Sequence, residues 1–490
     1  MAVGSAALRD PMNRAGSLAL LCVVFAVVLG ACVQNLGDDT LMPLMSLREE
    51  QEVGRNQHPR MLAAFGGAYM DAKLDRYVAE VTVQLIERSG SPNAIRQVTV
   101  LDSPSVNAFA LPGGYIYVTR GLLALASDEA ELATVIAHEV GHVAARHPAK
   151  RIARLASAEV LDSIFGRIIG GDQAAQVAAL GSEGYIAHYS RAQEFEADEL
   201  GINVAAEAGY DPTAALNFLE AMERDQALQA RLLRKRRNGT SETYMAAHPP
   251  TPSRLIEARS VVKDLPQTGQ RSRKSYLDSI DGMIFGDAPK NGIVRGRTFY
   301  QPSLGFAFTV PPGFVIHNRP TAVVAIGEGK NLILFDSADI GAEEELADFV
   351  ERDWAAALAV RKVETLSVNG LDVATAYAPL GHRDVRLVAI RFDAERIYRF
   401  IVLGPPGLLE QFSGPVADLT NSFRRLAPGE ARSVKPLRIK IHTIRPGETI
   451  EELANAMPFA ADRLERFRAL NNLGPGARLV PGGKVKLIVG

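Results

Sequence analysis

Apolar residues come first as an unbroken run, LALLCVVFAVVL at 18–29, and after that in alternating helical and strand spacings. The run falls short of the roughly twenty residues that a membrane span needs, and Arg9 and Arg14 precede it, so it reads as the apolar part of a secretory signal. A polar stretch follows. Within 61–88, Leu74, Tyr77, Val78, Val81 and Leu85 repeat at three and four, the stripe of an amphipathic helix. QVTVLD (97–102) and GYIYVT (114–119) are short β-rich runs, parted by SPSVNAFALPG, whose Pro and Gly mark a turn. A long helix is predicted from Ser127, with Ser127 or Asp128 as its cap and Glu129 and Glu131 in the first turn, where the helix dipole favours them. A second helical region covers about 174–208, and another runs from the Tyr210-Asp211-Pro212 break to about Arg234.

Past a polar, proline-containing stretch the spacing changes to that of strands. Strands are predicted at 305–316, 322–326, 331–336, 385–392 and 396–403, and helices at 343–360 and 408–423. The last fifty residues read as strand, helix, helix, strand. The organisation expected is a leader at 1–32, a tether at 33–60, a mainly helical domain with a small β-sheet at 61–264, a linker at 265–296, an α+β domain at 297–430 and a small βααβ module at 438–490. A length of 490 residues suits two or three domains.

Composition adds little except at two points. Hydrophobic residues at 47% and charged residues at 22% are ordinary, and a net charge of −2 gives no case for nucleic-acid binding. The basic run RLLRKRRNG at 231–239 reads as a solvated helix end. Cysteine is informative. Cys22 lies inside the apolar run, and Leu29-Gly30-Ala31-Cys32 resembles the lipobox of bacterial lipoproteins, in which Cys32 would become the acylated first residue. No disulfide is then possible. Val33 and Gln34 follow with no acidic residue, so the expected place is a periplasmic, lipid-anchored position at the outer rather than the inner membrane.

Chemistry concentrates in ELATVIAHEVGHVAARHPAKR (131–151). Residues four apart on a helix share a face, so His138 and His142 can hold one cation while Glu139 reaches a water beside it. His147 lies nine residues past His138, which puts it on the opposite face of a continued helix; it is expected to end that helix, with Pro148 closing it. A third ligand is better sought in HYSRAQEFEADELG, where Glu194 and Asp198 are again four apart. Two histidines and a glutamate form a catalytic zinc set that leaves a fourth position open, and Asp198 would then accept the N–H of a ligating imidazole. Glu196 points about 200° away from Glu194 and is the poorer candidate.

HEVGHVAARH, YSRAQEFEAD and HPPTPSRL, in this order, resemble the HtpX and BepA type of zinc metallopeptidases, the family that also contains the CAAX prenyl endopeptidases and the mitochondrial protease OMA. The resemblance implies a zincin-type (gluzincin) fold, one zinc ion held by His138, His142 and Glu194, and Glu139 as general base. It also implies that Gly114, Tyr115, Ile116, Tyr117 and Val118 form an edge strand that a substrate peptide extends, and that His248 can occupy the open zinc position and hold the enzyme latent. Arg254 would stabilise an oxyanion or pair with an active-site carboxylate. The α+β region resembles in pattern the single-sheet domains of the photosystem PsbP type, and 438–490 resembles a LysM module, the kind that contacts peptidoglycan. The function expected is zinc-dependent hydrolysis of misfolded or misassembled envelope proteins. The alternative is a peptidoglycan-associated scaffold or chaperone that seldom cuts.

Overall fold

The computed structural model describes residues 45–91, 93–157, 189–236, 248, 252–320, 322–356, 358, 360–411 and 414–490. The leader, Cys32, the 174–188 part of the second helical region and the basic run beyond Arg236 lie outside these residues.

A helix, α1 (Leu47–Ala64), stands where a tether was expected to reach residue 60. Its start is fixed by a capping box: the Ser46 hydroxyl accepts from the Glu49 amide, and the Glu49 carboxylate accepts from the Ser46 amide. The helix packs on aromatic residues, with Met61 buried and His58 Nδ1 2.7 Å from the Tyr117 hydroxyl. The helical domain therefore begins near residue 45. After Gly66 and Gly67, both at positive φ, the chain restarts as α2 (Ala72–Arg88), capped by Asp71, so 61–88 holds one helix end and a second helix.

Three strands follow, β1 (Gln97–Leu101), β2 (Ala108–Leu111) and β3 (Tyr115–Thr119), in the order β1-β3-β2. β3 pairs parallel with β1 and antiparallel with β2, so both of its hydrogen-bonding sides are used. The expectation that Gly114, Tyr115, Ile116, Tyr117 and Val118 form an edge strand is thus overturned: all but Gly114 lie in the central strand, and Gly114 joins the turn before it. Gly67 and Tyr69 bond to the outer side of β1. Among the described residues nothing pairs with the outer side of β2.

A short helix, α3 (Arg120–Leu125), leads into α4 (Glu129–Ala144), which is buried from Glu129 to Val143. Asp128 caps α4 by accepting from the Glu131 amide at 3.0 Å. Around α4 lie the sheet, α5 (His147–Ser157), α6 (Arg191–Glu207), α7 (Thr213–Arg236) and α8 (Pro252–Lys263). Gly201 permits the close crossing of α4 and α6, since a Cβ there would sit 2.7 Å from the His138 backbone nitrogen.

The expected linker is also structured. Within it α9 (Arg273–Ile280) buries Tyr276, Leu277 and Ile280, and β4 (Ile284–Phe285) pairs with the first strand of the C-terminal module.

The α+β region is two antiparallel sheets rather than one. Four strands, β5 (Ile293–Arg295), β6 (Thr298–Gln301), β7 (Phe306–Thr309) and β15 (Arg424–Arg425), form the smaller, in the order β15-β7-β6-β5. Seven form the larger, in the order β11-β12-β13-β14-β10-β9-β8: β8 (Val315–Asn318), β9 (Val323–Ile326), β10 (Leu332–Asp339), β11 (Arg361–Val368), β12 (Leu371–Leu380), β13 (Arg383–Arg391) and β14 (Arg396–Gly404). The stretch 305–316, expected as one strand, is two strands in different sheets, parted by Pro311-Pro312-Gly313. β11 and β12 are additional to the expected strands. The predicted helix at 343–360 contracts to helical turns within 346–354, and that at 408–423 to α10 (Gly414–Ser422). One face of the larger sheet buries Phe335, Phe400 and Val388 against Phe306, Phe308 and Leu419.

The C-terminal βααβ unit comprises β16 (Leu437–Thr443), α11 (Ile450–Asn455), α12 (Arg463–Leu470) and β17 (Lys484–Val489). It shares a hydrophobic core with the helical domain, where Phe467, Val485 and Ile488 belong to the same cluster as Leu122, Leu123 and Leu277. Lys486 is fully buried in this seam and donates to the carbonyls of Ala124, Leu125 and Ala126 at 2.7, 3.1 and 2.8 Å. An ammonium there satisfies backbone acceptors that the end of α3 leaves unpaired. No helix among the described residues is long and apolar enough to cross a membrane.

Candidate metal centre

One turn of α4 brings the Nε2 atoms of His138 and His142 to 3.0 Å from each other. α6 begins at Ser190 with a capping box to Gln193 and carries Glu194 in its first turn, where the dipole favours a carboxylate. Glu194 Oε1 lies 3.5 Å from His142 Nε2 and Oε2 lies 3.7 Å from His138 Nε2. His248 comes from outside these helices: its Nδ1 is 2.9 Å from Glu194 Oε1 and 3.3 Å from His138 Nε2. All four side chains are buried, and one donor atom from each falls within 4.8 Å of the others.

These residues fit a zinc ion. Imidazole nitrogens and one carboxylate suit the metal, and neutral histidines are what it needs; burial holds His142 well below its ordinary pKa. Glu139 supplies an independent sign. It is completely buried, and neither of its carboxylate oxygens has a hydrogen-bond partner among the described residues; Oε1 lies 3.5 Å from His248 Nε2. An orphaned buried carboxylate is costly unless something absent from a bare polypeptide completes it. Burial raises its pKa to about 7, against the pull of His138 and with the charge of Glu194 adding to the rise.

Arg254 holds the acidic side together. Its guanidinium forks onto Asp198 at 2.8 and 2.7 Å, reaches Glu194 Oε2 at 2.9 Å, and donates to the His248 carbonyl at 3.1 Å. Of the two expectations for Arg254, this is the pairing with active-site carboxylates. Burial alone would raise Glu194 and Asp198; His248, His142 and Arg254 instead hold Glu194 well below the carboxylate range, and Arg254 with His138 lowers Asp198. Asp198 Oδ1 lies 2.9 Å from His138 Nδ1, beside the nitrogen that faces away from Glu194.

His147 departs from its expectation. α4 ends at Ala144, Arg146 turns through a left-handed conformation (φ 56°), and His147 opens α5, with Pro148 in its first turn rather than closing α4. The turn brings the buried His147 ring back beside His142, Nδ1 to Nδ1 at 2.8 Å, and its Nε2 lies 3.2 Å from Glu196 Oε2. Sequence reasoning set His147 aside by extending α4 as a straight helix, and Glu196 because it points away from Glu194 on α6. The dipeptide His147-Pro148 held the missing signal, because proline is favoured in a first helical turn. Tyr189 and Arg151 were also missed: the Tyr189 ring stacks on His142 with centroids 4.0 Å apart, and the Arg151 guanidinium lies 4.6 Å from the Tyr189 centroid.

A buried HExxH helix facing a glutamate from a second helix is the arrangement of a zinc metallopeptidase. The sequence profile of Peptidase family M48 matches residues 72–262. Similar proteins include mitochondrial metalloendopeptidase OMA1 of Schizosaccharomyces pombe, 27% identical over 226 residues (46% of this chain, 63% of that protein). The beta-barrel assembly-enhancing protease of Escherichia coli (strain K12) is 29% identical over 245 residues, 48% of each chain. The putative beta-barrel assembly-enhancing protease of Vibrio cholerae is 31% identical over 215 residues, 41% of this chain and 44% of that one. The chain spans about half the length of the curated relatives it matches. Residues 72–262 belong to peptidase family M48, among zinc metallopeptidases of the HtpX, BepA and OMA type.

Proposed function

We propose that this protein is a zinc-dependent endopeptidase of the bacterial cell envelope, cutting misfolded or misassembled envelope proteins on the periplasmic side. The observation that supports this most is the convergence of His138, His142 and Glu194 on one point, next to a Glu139 carboxylate that has no hydrogen bond among the described residues.

His138, His142 and Glu194 would hold the ion, with Asp198 fixing the His138 tautomer and Arg254 fixing Asp198. Zinc, when bound, supplies Lewis acidity toward a peptide carbonyl and toward water. Glu139 accepts the proton of the attacking water and delivers it to the leaving amine as the C–N bond breaks. His248 stands on the ligand set and would keep the site closed until a substrate displaces it. With β3 central, the unpaired outer side of β2 is where a substrate backbone would add. Cys32 would supply a lipid anchor, at the outer membrane in this reading, and 438–490 a contact to peptidoglycan.

Zinc content and casein cleavage of the full chain in mild detergent test the reading. One zinc per chain is expected in the parent and in Glu139→Gln, with cleavage in the parent alone and faster cleavage in His248→Ala. Zinc with no cleavage in any of them, and a cellular phenotype that Glu139→Gln leaves untouched, would instead favour the scaffold.

A further inference from the structure

We infer that His147 and Glu196 form a relay that sets the tautomer of His142, turning its Nε2 lone pair toward the metal. The inference rests on the zinc reading above. His142 Nε2 is the nitrogen facing His138 and Glu194, so its Nδ1 must carry the proton if Nε2 is to bind an ion. Among the described residues, that Nδ1 is hydrogen-bonded to a second imidazole, His147 Nδ1, at 2.8 Å. One proton lies between the two nitrogens. For His142 to donate it, His147 must accept at Nδ1 and carry its own proton at Nε2, where Glu196 Oε2 stands at 3.2 Å to accept it. The opposite assignment would leave Glu196 facing a bare lone pair and place a proton on the very nitrogen that the ion needs.

The two ligating rings are therefore oriented by different means, His138 by Asp198 directly and His142 by Glu196 through one intervening ring. The turn that puts His147 in place is fastened independently: the Arg146 guanidinium bonds to the Glu50 carboxylate and the Met45 carbonyl. Both partners come from α1 and its approach, so the N-terminal helix braces the relay. His147 and Glu196 are positioning residues, and neither faces the position of the reacting bond.

The test is the zinc dissociation constant of the full chain in mild detergent, measured by chelator competition, for the parent, Glu196→Ala, Glu196→Gln, His147→Ala and the Ala/Ala double variant. Loss of an outer partner of a metal ligand costs about 10- to 100-fold in affinity, and Glu196→Ala is expected near the lower end. Glu196→Gln should recover most of the loss, since its amide oxygen accepts the same N–H. The double variant should bind no more weakly than His147→Ala, because Glu196 acts only through that ring. The Glu196 side chain is 53% exposed, so its variants are expected to fold with an unchanged melting temperature without metal. Parent-like affinity in Glu196→Ala, or losses that add in the double variant, would overturn the relay while leaving the zinc centre standing; a parent that binds no zinc would overturn both.

Discussion

Helix α4 carries a buried charged cluster at each end, and the two are built by opposite rules. At the N-terminal end the cluster closes on itself. Asp128 accepts from Arg271 and from the Glu131 amide, Glu131 accepts from the Ser127 amide, and Glu129 accepts from Tyr77 and Tyr210. Lys486 fills the adjoining seam with three carbonyl acceptors. At the C-terminal end, His138, His142, Glu194 and His248 turn their donor atoms toward one point, and neither Glu139 oxygen has a hydrogen bond among the described residues. The first cluster joins pieces of protein; the second is complete only with something bound. Burial and charge are alike at both ends, so neither property identifies a functional site. What separates them is Glu139, a buried carboxylate with neither oxygen hydrogen-bonded among the described residues.

Replacing a buried cation beside each end would sharpen this contrast. Arg254→Met leaves Asp198 and Glu194 buried without their shared guanidinium, and breaking such a network costs about 3–5 kcal/mol. Urea unfolding should show that loss, with weakened zinc binding beside it; stability within 1 kcal/mol (about the precision of the comparison) would mean that other groups carry the carboxylates. Lys486→Met orphans three carbonyls and should cost about 2 kcal/mol, while the zinc affinity of the folded protein stays at the parent value. A zinc affinity that fell as well would show that the two ends of α4 are coupled rather than separate. The remaining effect is a slope. Burial pushes the Lys486 ammonium down to about 7 from 10.5, with Arg273 adding to the fall, so between those values the unfolded chain binds more protons than the folded one. Stability should therefore rise with pH across that window. Melting temperatures from pH 7.5 to 10 should show a gentler rise in Lys486→Met, and an identical slope would remove Lys486 as its source.

The parts of this molecule legible in the sequence are those whose geometry is local. His138 with His142, and Glu194 with Asp198, are pairs four apart, and helical pitch alone brings each pair onto one face. The strand–helix–helix–strand order of the last fifty residues was legible for the same reason. What failed depended on chain reversals and distant pairing. The parallel union of β1 with β3 cannot be read from either strand, so nothing in the sequence countered the edge position that the family resemblance implied for β3. His147 and Glu196 meet only because Arg146 breaks α4. Some misses had a local signal nonetheless. Ser46-x-x-Glu49 announces α1, and Asn369-Gly370, both at positive φ, is a strong hairpin sequence between β11 and β12.

The early start of α1 also limits reach. If Cys32 is acylated as proposed, residues 33–44 lie between the lipid and Met45, and a stretch of that length spans at most about 45 Å in any conformation. Such an enzyme would patrol a shallow layer of the envelope rather than its whole depth. Lengthening that stretch would change which clients are within range without altering the metal centre.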